Sequence, residues 1–249
     1  YCAYPPGTKA YTDFWREEYN RCKNGYTANN YTLTGYNYFF LNYYILPNLR
    51  GVDVLGQGRQ LNFPNFFVAQ YKYFHYIELC RVLGKNAVGL KARGLGFSEI
   101  GANICVATYS VRKNSRSVIV ANQEIYMDSA IQKCWTQLHN LNGNTDDGFR
   151  KLRQKHDSAF FKRASKVNIK GEEHGFLSEI EGITADKPNK IRGDRTDILI
   201  YEESGSYPNW VKAFIQGDAL VNIQGRRFGI KLGWGTGGDR GPALAGLAT

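Results

Sequence analysis

Short runs of apolar residues alternate with longer helical patterns through the last two thirds of the chain, and this alternation constrains the fold most. The clearest runs are RSVIVAN (116–122), which is rich in β-branched residues, and TDILIY (196–201). Both are typical of buried strands. The segments between and around them predict helices over 97–114, 123–141 and 209–221. Strands that alternate with helices predict an α/β fold, with a mostly parallel central sheet flanked by helices on both faces.

Length and composition fit one large domain or a domain with an extension. The chain has 249 residues, of which 43% are hydrophobic, and this is enough for a sizeable core. Aromatic residues are dense near the start of the chain. We expect an aromatic-rich N-terminal extension over residues 1–60, packed on a core over residues 61–249.

Net charge and cysteine content indicate which class of partner the chain binds and which cellular compartment it occupies. The net charge of +10 and the pI near 9.3 favour a polyanionic partner such as nucleic acid, although a generally basic soluble protein has the same balance. The five cysteines form no CxxC pair, which favours reduced intracellular thiols over disulfides or a zinc site. The sequence contains no apolar run of membrane-spanning length and no visible signal peptide, so we expect no membrane partner.

The stretch LKARGLGFSE (90–99) has the rhythm of a phosphate-binding loop, G-x-x-x-x-G-K-[ST]. If Ser98 takes the hydroxyl position, Gly96 is the second glycine, Phe97 stands where lysine is usual, and Lys91 stands where the first glycine is usual. Both ends of such a loop lie near the phosphates, so a lysine at 91 can reach them from the strand end. A glycine-rich turn kept only for packing is the alternative.

In the nucleotide interpretation, backbone amides of residues 94–98 and the helix N-terminus bind phosphate. Lys91 adds one cation, and Arg93 adds a second that can contact the γ-phosphate through two hydrogen bonds. Ser98 coordinates Mg²⁺. The loop residues that we predict to bind ATP are Lys91, Ala92, Arg93, Gly94, Leu95, Gly96, Phe97 and Ser98.

Two glutamates follow the apolar run ILIY, at the predicted carboxyl end of a strand. Ligands of α/β folds bind at such ends. Glu202 is predicted to hold Mg²⁺, and Glu203 is predicted to activate the attacking water as a general base. A charged pair that caps a strand is the alternative.

Two further positions complete the predicted site. Thr236, in GTGG (235–238) after the last strand, can hydrogen-bond the γ-phosphate or the attacking water, although an ordinary glycine turn has the same pattern. Gln70 lies about twenty residues before the loop, on a helix predicted over 65–83. Its amide can pair with the N6 and N7 edge of adenine, or it is an ordinary residue of the helix surface.

Together these motifs resemble the ATPase domain of a tailed-bacteriophage large terminase, the motor that packages DNA. The resemblance rests on KARGLGFS (91–98), KIRGDRTDILIYEES (190–204), GTGG, and the aromatic segments GYNYFFLNYYI (35–45) and FVAQYKYF (67–74). It implies a P-loop NTPase fold of the ASCE/RecA-like class that hydrolyses ATP with Mg²⁺ and translocates double-stranded DNA into the procapsid. Phe97 and Glu202 depart from the lysine and aspartate that are usual in the family.

The resemblance also implies partners: a portal protein, a small terminase subunit and a homo-oligomeric ring, a pentamer, in the host cell cytoplasm. An arginine from the neighbouring subunit would complete each site, with Arg192, Arg195, Arg226, Arg227 and Arg240 as candidates. Family members continue into an RNase H-like nuclease domain, for which no room remains here, so we expect an isolated ATPase domain without nuclease activity.

Two other interpretations remain open at the level of sequence. The chain can be another P-loop DNA translocase or a helicase-like ATPase, or a catalytically inactive DNA-binding phage protein. The DNA surface is equally open: the basic segments RKNSR (112–116) and RKLRQKHDSAFFKR (150–163) are candidates, and a solvated charged face is the alternative.

Overall fold

A computed structural model describes residues 2–47, 61–145, 148–149, 159–185, 195–208 and 210–236. The helices in this part are α1 (Lys9–Asn24), α2 (Gly35–Tyr43), α3 (Val68–Val82), α4 (Phe97–Val111), α5 (Glu124–Asn144), α6 (Trp210–Gln216) and α7 (Asp218–Val221). The strands are β1 (Tyr26–Ala28), β2 (Tyr31–Leu33), β3 (Leu46–Pro47), β4 (Leu61–Asn62), β5 (Ala87–Leu90), β6 (Arg116–Ala121), β7 (Phe161–Val167), β8 (Glu173–Thr184), β9 (Ile198–Glu202), β10 (Asn222–Ile223), β11 (Arg226–Arg227) and β12 (Ile230–Gly235). A turn of 3₁₀-helix covers Ser204–Ser206.

The central sheet has six strands in the order β5-β12-β9-β6-β8-β7. All neighbouring strands are parallel except β7 and β8, which pair antiparallel at one edge. The predicted α/β fold with a mostly parallel sheet is therefore confirmed. Strand β12 lies between β5 and β9. Strand β5 leads into the glycine-rich loop, β9 leads to the two glutamates, and β12 leads to Thr236.

Side-chain alternation along β9 shows how the sheet is covered on both faces. Ile198 and Ile200 belong to the large core cluster that includes residues of α2 to α5. Leu199 and Tyr201 point the other way, into a smaller cluster with residues of α6 and α7. Successive residues of a strand face opposite sides, so a strand that is buried on both faces is apolar throughout. This is why ILIY is a continuous apolar run.

Aromatic residues of α1 and α2 pack into the same core as the sheet. Trp15 and Tyr43 both contact Phe149, with ring centroids 5.5 and 4.7 Å apart respectively. Asn103 of α4 donates a hydrogen bond to the carbonyl oxygen of Tyr36 at 3.0 Å. Residues 48–60 lie outside the described residues, so the boundary of an N-terminal extension at residue 60 stays a prediction.

The helix predicted over 209–221 is wrong in one respect, because it breaks at Gly217 into α6 and α7. At Gly217 the chain passes directly over β9, where an added Cβ would collide with the hydroxyl of Tyr201. That hydroxyl donates a hydrogen bond to the carbonyl oxygen of Ala213 at 2.8 Å. In the described part of the chain, no helix is both long and apolar enough to cross a bilayer.

Candidate active site

The glycine-rich loop connects β5 to α4 at the carboxyl edge of the sheet. Its first residue, Lys91, donates its backbone N–H to the carbonyl oxygen of Gly235 at 3.0 Å, which fixes the loop beside β12. Gly94 and Gly96 have φ angles of +82° and +72°, a left-handed conformation that glycine adopts at little cost. Helix α4 then begins at Phe97, and within the described residues no side chain caps it. Its first N–H groups can therefore bind a ligand.

Phe97 stands at the position where lysine is usual, and its side chain is part of the core. It is 8% exposed, and its ring centroid lies 4.3 Å from that of Tyr73 and 6.2 Å from that of Trp234. A charged side chain in this apolar environment would be costly without a partner. The loop's own lysine, Lys91, lies at its other end, and its role as the displaced lysine stays a prediction.

Glu202 is the last residue of β9 and faces α4, on the same side as Ile198 and Ile200. The residue is 4% exposed, and its carboxylate accepts two hydrogen bonds, one from the hydroxyl of Ser98 and one from the indole Nε1 of Trp234 at 2.5 Å. Burial raises the pKa of Glu202, and the hydrogen bonds from Ser98 and Trp234 oppose part of that rise.

Glu203 turns out of the strand in a left-handed conformation, with φ +48° and ψ +53°. For a residue other than glycine this conformation costs about 1–3 kcal/mol, and such strain is most frequent at functional sites. The turn brings the carboxylate within 2.9 Å of Lys91 Nζ, and the hydroxyl of Thr236 lies 3.5 Å from its other oxygen. The Lys91 side chain is 9% exposed and that of Glu203 is 26% exposed, so this ion pair is partly shielded from solvent.

The backbone around Glu203 is held by its neighbours. Its carbonyl oxygen accepts hydrogen bonds from both the N–H and the hydroxyl of Ser206, each at 2.8 Å. Asn122, at the end of the neighbouring strand β6, donates to the carbonyl oxygen of Ser206 at 2.9 Å. Gly235 lies so close to this turn that an added Cβ would be 2.6 Å from the backbone nitrogen of Gly205. The glycine of GTGG therefore permits the close approach of β12 to the glutamate turn.

The structure brings together five of the residues that the sequence predicts for the site: Lys91, Ser98, Glu202, Glu203 and Thr236. Their chemical roles stay predictions. Trp234 and Asn122 support this cluster and were not predicted. The tryptophan lies directly before GTGG and the asparagine directly after a buried strand, where polar groups reach the carboxyl edge, so position was the available signal.

The other predicted residues lie around this cluster or outside it. Ala92, Arg93, Gly94 and Leu95 are exposed, and the Arg93 guanidinium has no hydrogen bond or ion pair with a described residue. Gln70 is buried, and its Nε2 donates to the carbonyl oxygen of Leu95 at 3.0 Å, so it holds the loop. Its contact with adenine stays a prediction.

Of the candidate trans-acting arginines, Arg195 and Arg226 are exposed. The guanidinium of Arg227 donates a hydrogen bond to a carbonyl oxygen of its own chain. Arg192 and Arg240 lie outside the described residues, as do Gly237 and Gly238 of GTGG.

Comparison with known proteins adds evidence on the fold. No family model and no curated protein matches the chain. Among solved structures, the large terminase of bacteriophage HK97 superposes with a TM-score of 0.51 at 12% identity, over 83% of this chain and 38% of that one. The large terminase ATPase domain of Thermus phage P74-26 gives a TM-score of 0.46 at 16% identity, over 64% of this chain and 68% of that one.

The large terminase of another thermophilic bacteriophage, in complex with ADP, gives a TM-score of 0.39 at 12% identity, over 61% of this chain and 33% of that one. At these sequence identities the similarity concerns the fold alone. The superposition on the HK97 large terminase is the one that supports this similarity of fold. It agrees with the resemblance that the sequence motifs indicate. The described part of the chain has the α/β fold of the matched part of the HK97 large terminase.

Proposed function

We propose that this chain is the ATPase motor domain of a phage large terminase, which hydrolyses ATP with Mg²⁺ and drives double-stranded DNA into a procapsid. The observation that carries the proposal is the convergence of Lys91, Ser98, Glu202, Glu203 and Thr236 at the carboxyl edge of three adjacent strands. A cation, a hydroxyl, two carboxylates and a helix N-terminus are the groups that phosphoryl transfer to water requires.

The chain offers suitable ligands for Mg²⁺. Ser98 and Glu202 present hydroxyl and carboxylate oxygens, which this cation prefers. Because burial raises the pKa of Glu202, a cation beside it would favour its charged form. We propose that these two residues hold Mg²⁺, which supplies neutralisation of charge on the phosphates.

The contact between Lys91 and Glu203 suggests how the site responds to ATP. An ammonium group that is paired with a carboxylate is not free to neutralise a phosphate. We propose that Lys91 exchanges Glu203 for the phosphates when ATP binds, helped by the amides of the loop and by Arg93. The exchange frees the Glu203 carboxylate to accept a proton from the attacking water. Thr236, already beside Glu203, is placed to respond to the γ-phosphate.

The same proposal includes the assembly. The working motor is a homo-oligomeric ring, most simply a pentamer, which docks on the portal protein in the bacterial cytoplasm and receives DNA with a small terminase subunit. An arginine from the neighbouring subunit completes each site. These partners come from the resemblance to large terminases, and the basic charge of the chain agrees with DNA as cargo.

The test is ATP hydrolysis by the Glu203→Gln variant, measured as phosphate release under single-turnover conditions with Mg²⁺. We expect hydrolysis to fall by about a thousandfold, which is typical for loss of a general base. ATP should bind at least as tightly as it does to the wild type, because the amide keeps the shape of the side chain and no longer holds Lys91 as a carboxylate does. Glu172→Gln, an exposed glutamate on the β7–β8 hairpin, is the matched control. Unchanged hydrolysis in Glu203→Gln would show that Glu203 is not the general base. A wild-type chain that binds no ATP would overturn the proposed function.

A further inference from the structure

The amino edge of the central sheet, opposite the candidate active site, carries two adjoining cavities of about 270 and 290 Å³. Arg81 and Arg112 line both of them. The first residues of β9 and β12, Ile198 and Ile230, line the larger one. We call these two cavities together the amino-edge cleft.

Cations dominate the charged residues of this cleft. Among the described residues, its walls contain five cationic and two acidic side chains: Lys23, Arg81, Lys85, Arg112 and Arg227 against Glu78 and Asp197. Both acids already have partners. Glu78 accepts two hydrogen bonds from Arg81, at 2.6 and 3.0 Å, and Asp197 accepts the backbone N–H of Arg116 at 2.9 Å.

Several of the cationic groups have donors to spare. The side chains of Lys85 and Arg112 make no hydrogen bond or ion pair with any residue that the structure describes. Arg227 is more engaged: it donates to the carbonyl oxygen of Gly84 at 2.5 Å and to the side-chain oxygen of Asn86, and it lies 3.9 Å from the carboxylate of Asp218. Its Nε is buried and has no partner in the described part of the chain.

The ordinary explanation is that these cations balance the negative ends of α3 and α4, which both terminate at the cleft. At the end of α4, backbone and side-chain donors already reach the carbonyl oxygens of Thr108 and Tyr109. The carbonyl oxygen of Thr108 accepts the N–H of Arg112 at 3.0 Å and the hydroxyl of Ser115 at 3.3 Å. The guanidinium of Arg112 is therefore left for a ligand from outside the described chain.

We propose that the amino-edge cleft binds phosphates of the double-stranded DNA backbone. The inference rests on the proposed function, which makes DNA the cargo. Arginine forks match phosphate oxygens, and lysines supply point charges. The cations extend over two adjoining cavities, from Lys23 at the end of α1 to Arg227 on β11, which suits a polymer of phosphates better than one phosphate ion.

The cleft and the candidate active site lie at opposite ends of the same rigid elements. Strand β9 runs from Ile198 in the cleft to Glu202, a span of about 13 Å. Helix α4 runs from Ser98 in its first turn to Arg112 directly after its end, a span of about 20 Å. DNA in the cleft and ATP at the loop would thus contact the two ends of one helix.

The test is the affinity of the whole chain for a fluorescently labelled, mixed-sequence DNA duplex, measured by anisotropy over a series of salt concentrations. For the double variant Lys85→Ala/Arg112→Ala, we expect the slope of log affinity against log salt to fall by about 2, since each phosphate contact contributes about 0.9. We expect affinity to fall by roughly tenfold or more, for the same reason. Glu78→Gln, which frees Arg81, should raise affinity.

Lys72→Ala/Lys212→Ala is the control, because it removes the same charge from two exposed positions outside the cleft and should leave the slope unchanged. Equal losses in both double variants would show a nonspecific charge effect and overturn the cleft. A second result would also overturn the cleft as a DNA site. If inorganic phosphate stabilises the wild type against thermal unfolding while Lys85→Ala/Arg112→Ala binds the duplex normally, the cleft is a site for a free ion.

ATP hydrolysis without DNA separates this inference from the proposed function. It should be equal in the wild type and in Lys85→Ala/Arg112→Ala, since neither residue lies at the loop. If the chain hydrolyses ATP but Lys85→Ala/Arg112→Ala shows no selective loss of DNA binding, the cleft proposal is wrong and the proposed function is unaffected. Selective loss of DNA binding in a chain that does not hydrolyse ATP supports the cleft and contradicts the motor.

Discussion

The two ends of the parallel strands differ in how far their charged side chains are paired with one another. At the carboxyl edge, the ionisable side chains engage one another: Lys91 pairs with Glu203, and Glu202 is enclosed by hydrogen bonds from Ser98 and Trp234. At the amino edge, Lys85 and Arg112 line a cleft without a described partner. Groups that are preorganised by mutual contacts suit a small ligand that replaces one contact at a time. Cations without acidic partners suit a large polyanion.

The largest expected effect that distinguishes the two edges comes from removing one cation from each of them in turn. Lys91→Met should weaken ATP binding by roughly ten- to a hundredfold, because hydrogen bonds to charged groups contribute about 1.5–3 kcal/mol. Arg112→Met, at the other end of the strands, should leave ATP affinity unchanged. Isothermal titration with a non-hydrolysable ATP analogue and Mg²⁺ measures both. Equal effects of the two substitutions would remove the distinction between the edges, and full affinity in Lys91→Met would reject the displaced lysine.

A smaller effect concerns the buried carboxyl of Glu202. Because its pKa in the folded chain lies above that in the unfolded chain, its contribution to stability is fully present below the unfolded pKa, near 4.3, and is lost as pH rises through the folded pKa. Glu202→Gln has no such titration. The free energy of unfolding of the wild type, relative to the variant, should therefore decrease as pH rises from about 4 towards neutrality.

Urea unfolding at a series of pH values measures this difference. Mg²⁺ should restore part of the lost stability at neutral pH in the wild type and not in Glu202→Gln, because only the carboxylate attracts the cation. Parallel pH profiles of the two proteins would contradict the account of Glu202. A Mg²⁺ effect of equal size in both would show that the ion binds elsewhere.

Much of the candidate site was predictable because parallel strands end at one edge. A loop after one strand, two glutamates after another and a threonine after a third must then converge, which is what Lys91, Glu203 and Thr236 do. The strand order itself was not readable from the motifs. The alternation of strands and helices predicts a parallel sheet, but it does not say that β12 lies between β5 and β9.

Other features depended on packing between distant segments, and the sequence held no local signal for them. The direction of Phe97 into the core is set by Tyr73 and Trp234, which lie on a different helix and strand. At Gly217, where the helix breaks, an added Cβ would collide with the hydroxyl of Tyr201. The amino-edge cleft is assembled from the ends of several elements, so its cations formed no motif. The basic segment 112–116 was a candidate DNA surface, and Arg112 is its contribution to the cleft.

The most direct test of the central claim is an experimental structure of the chain with Mg²⁺ and a non-hydrolysable ATP analogue. We expect Lys91 Nζ to leave Glu203 and contact the β- or γ-phosphate, while Ser98 and Glu202 lie at the metal ion. A structure in which the phosphates are bound while Lys91 stays paired with Glu203, or in which the analogue binds away from residues 91–98, would contradict it.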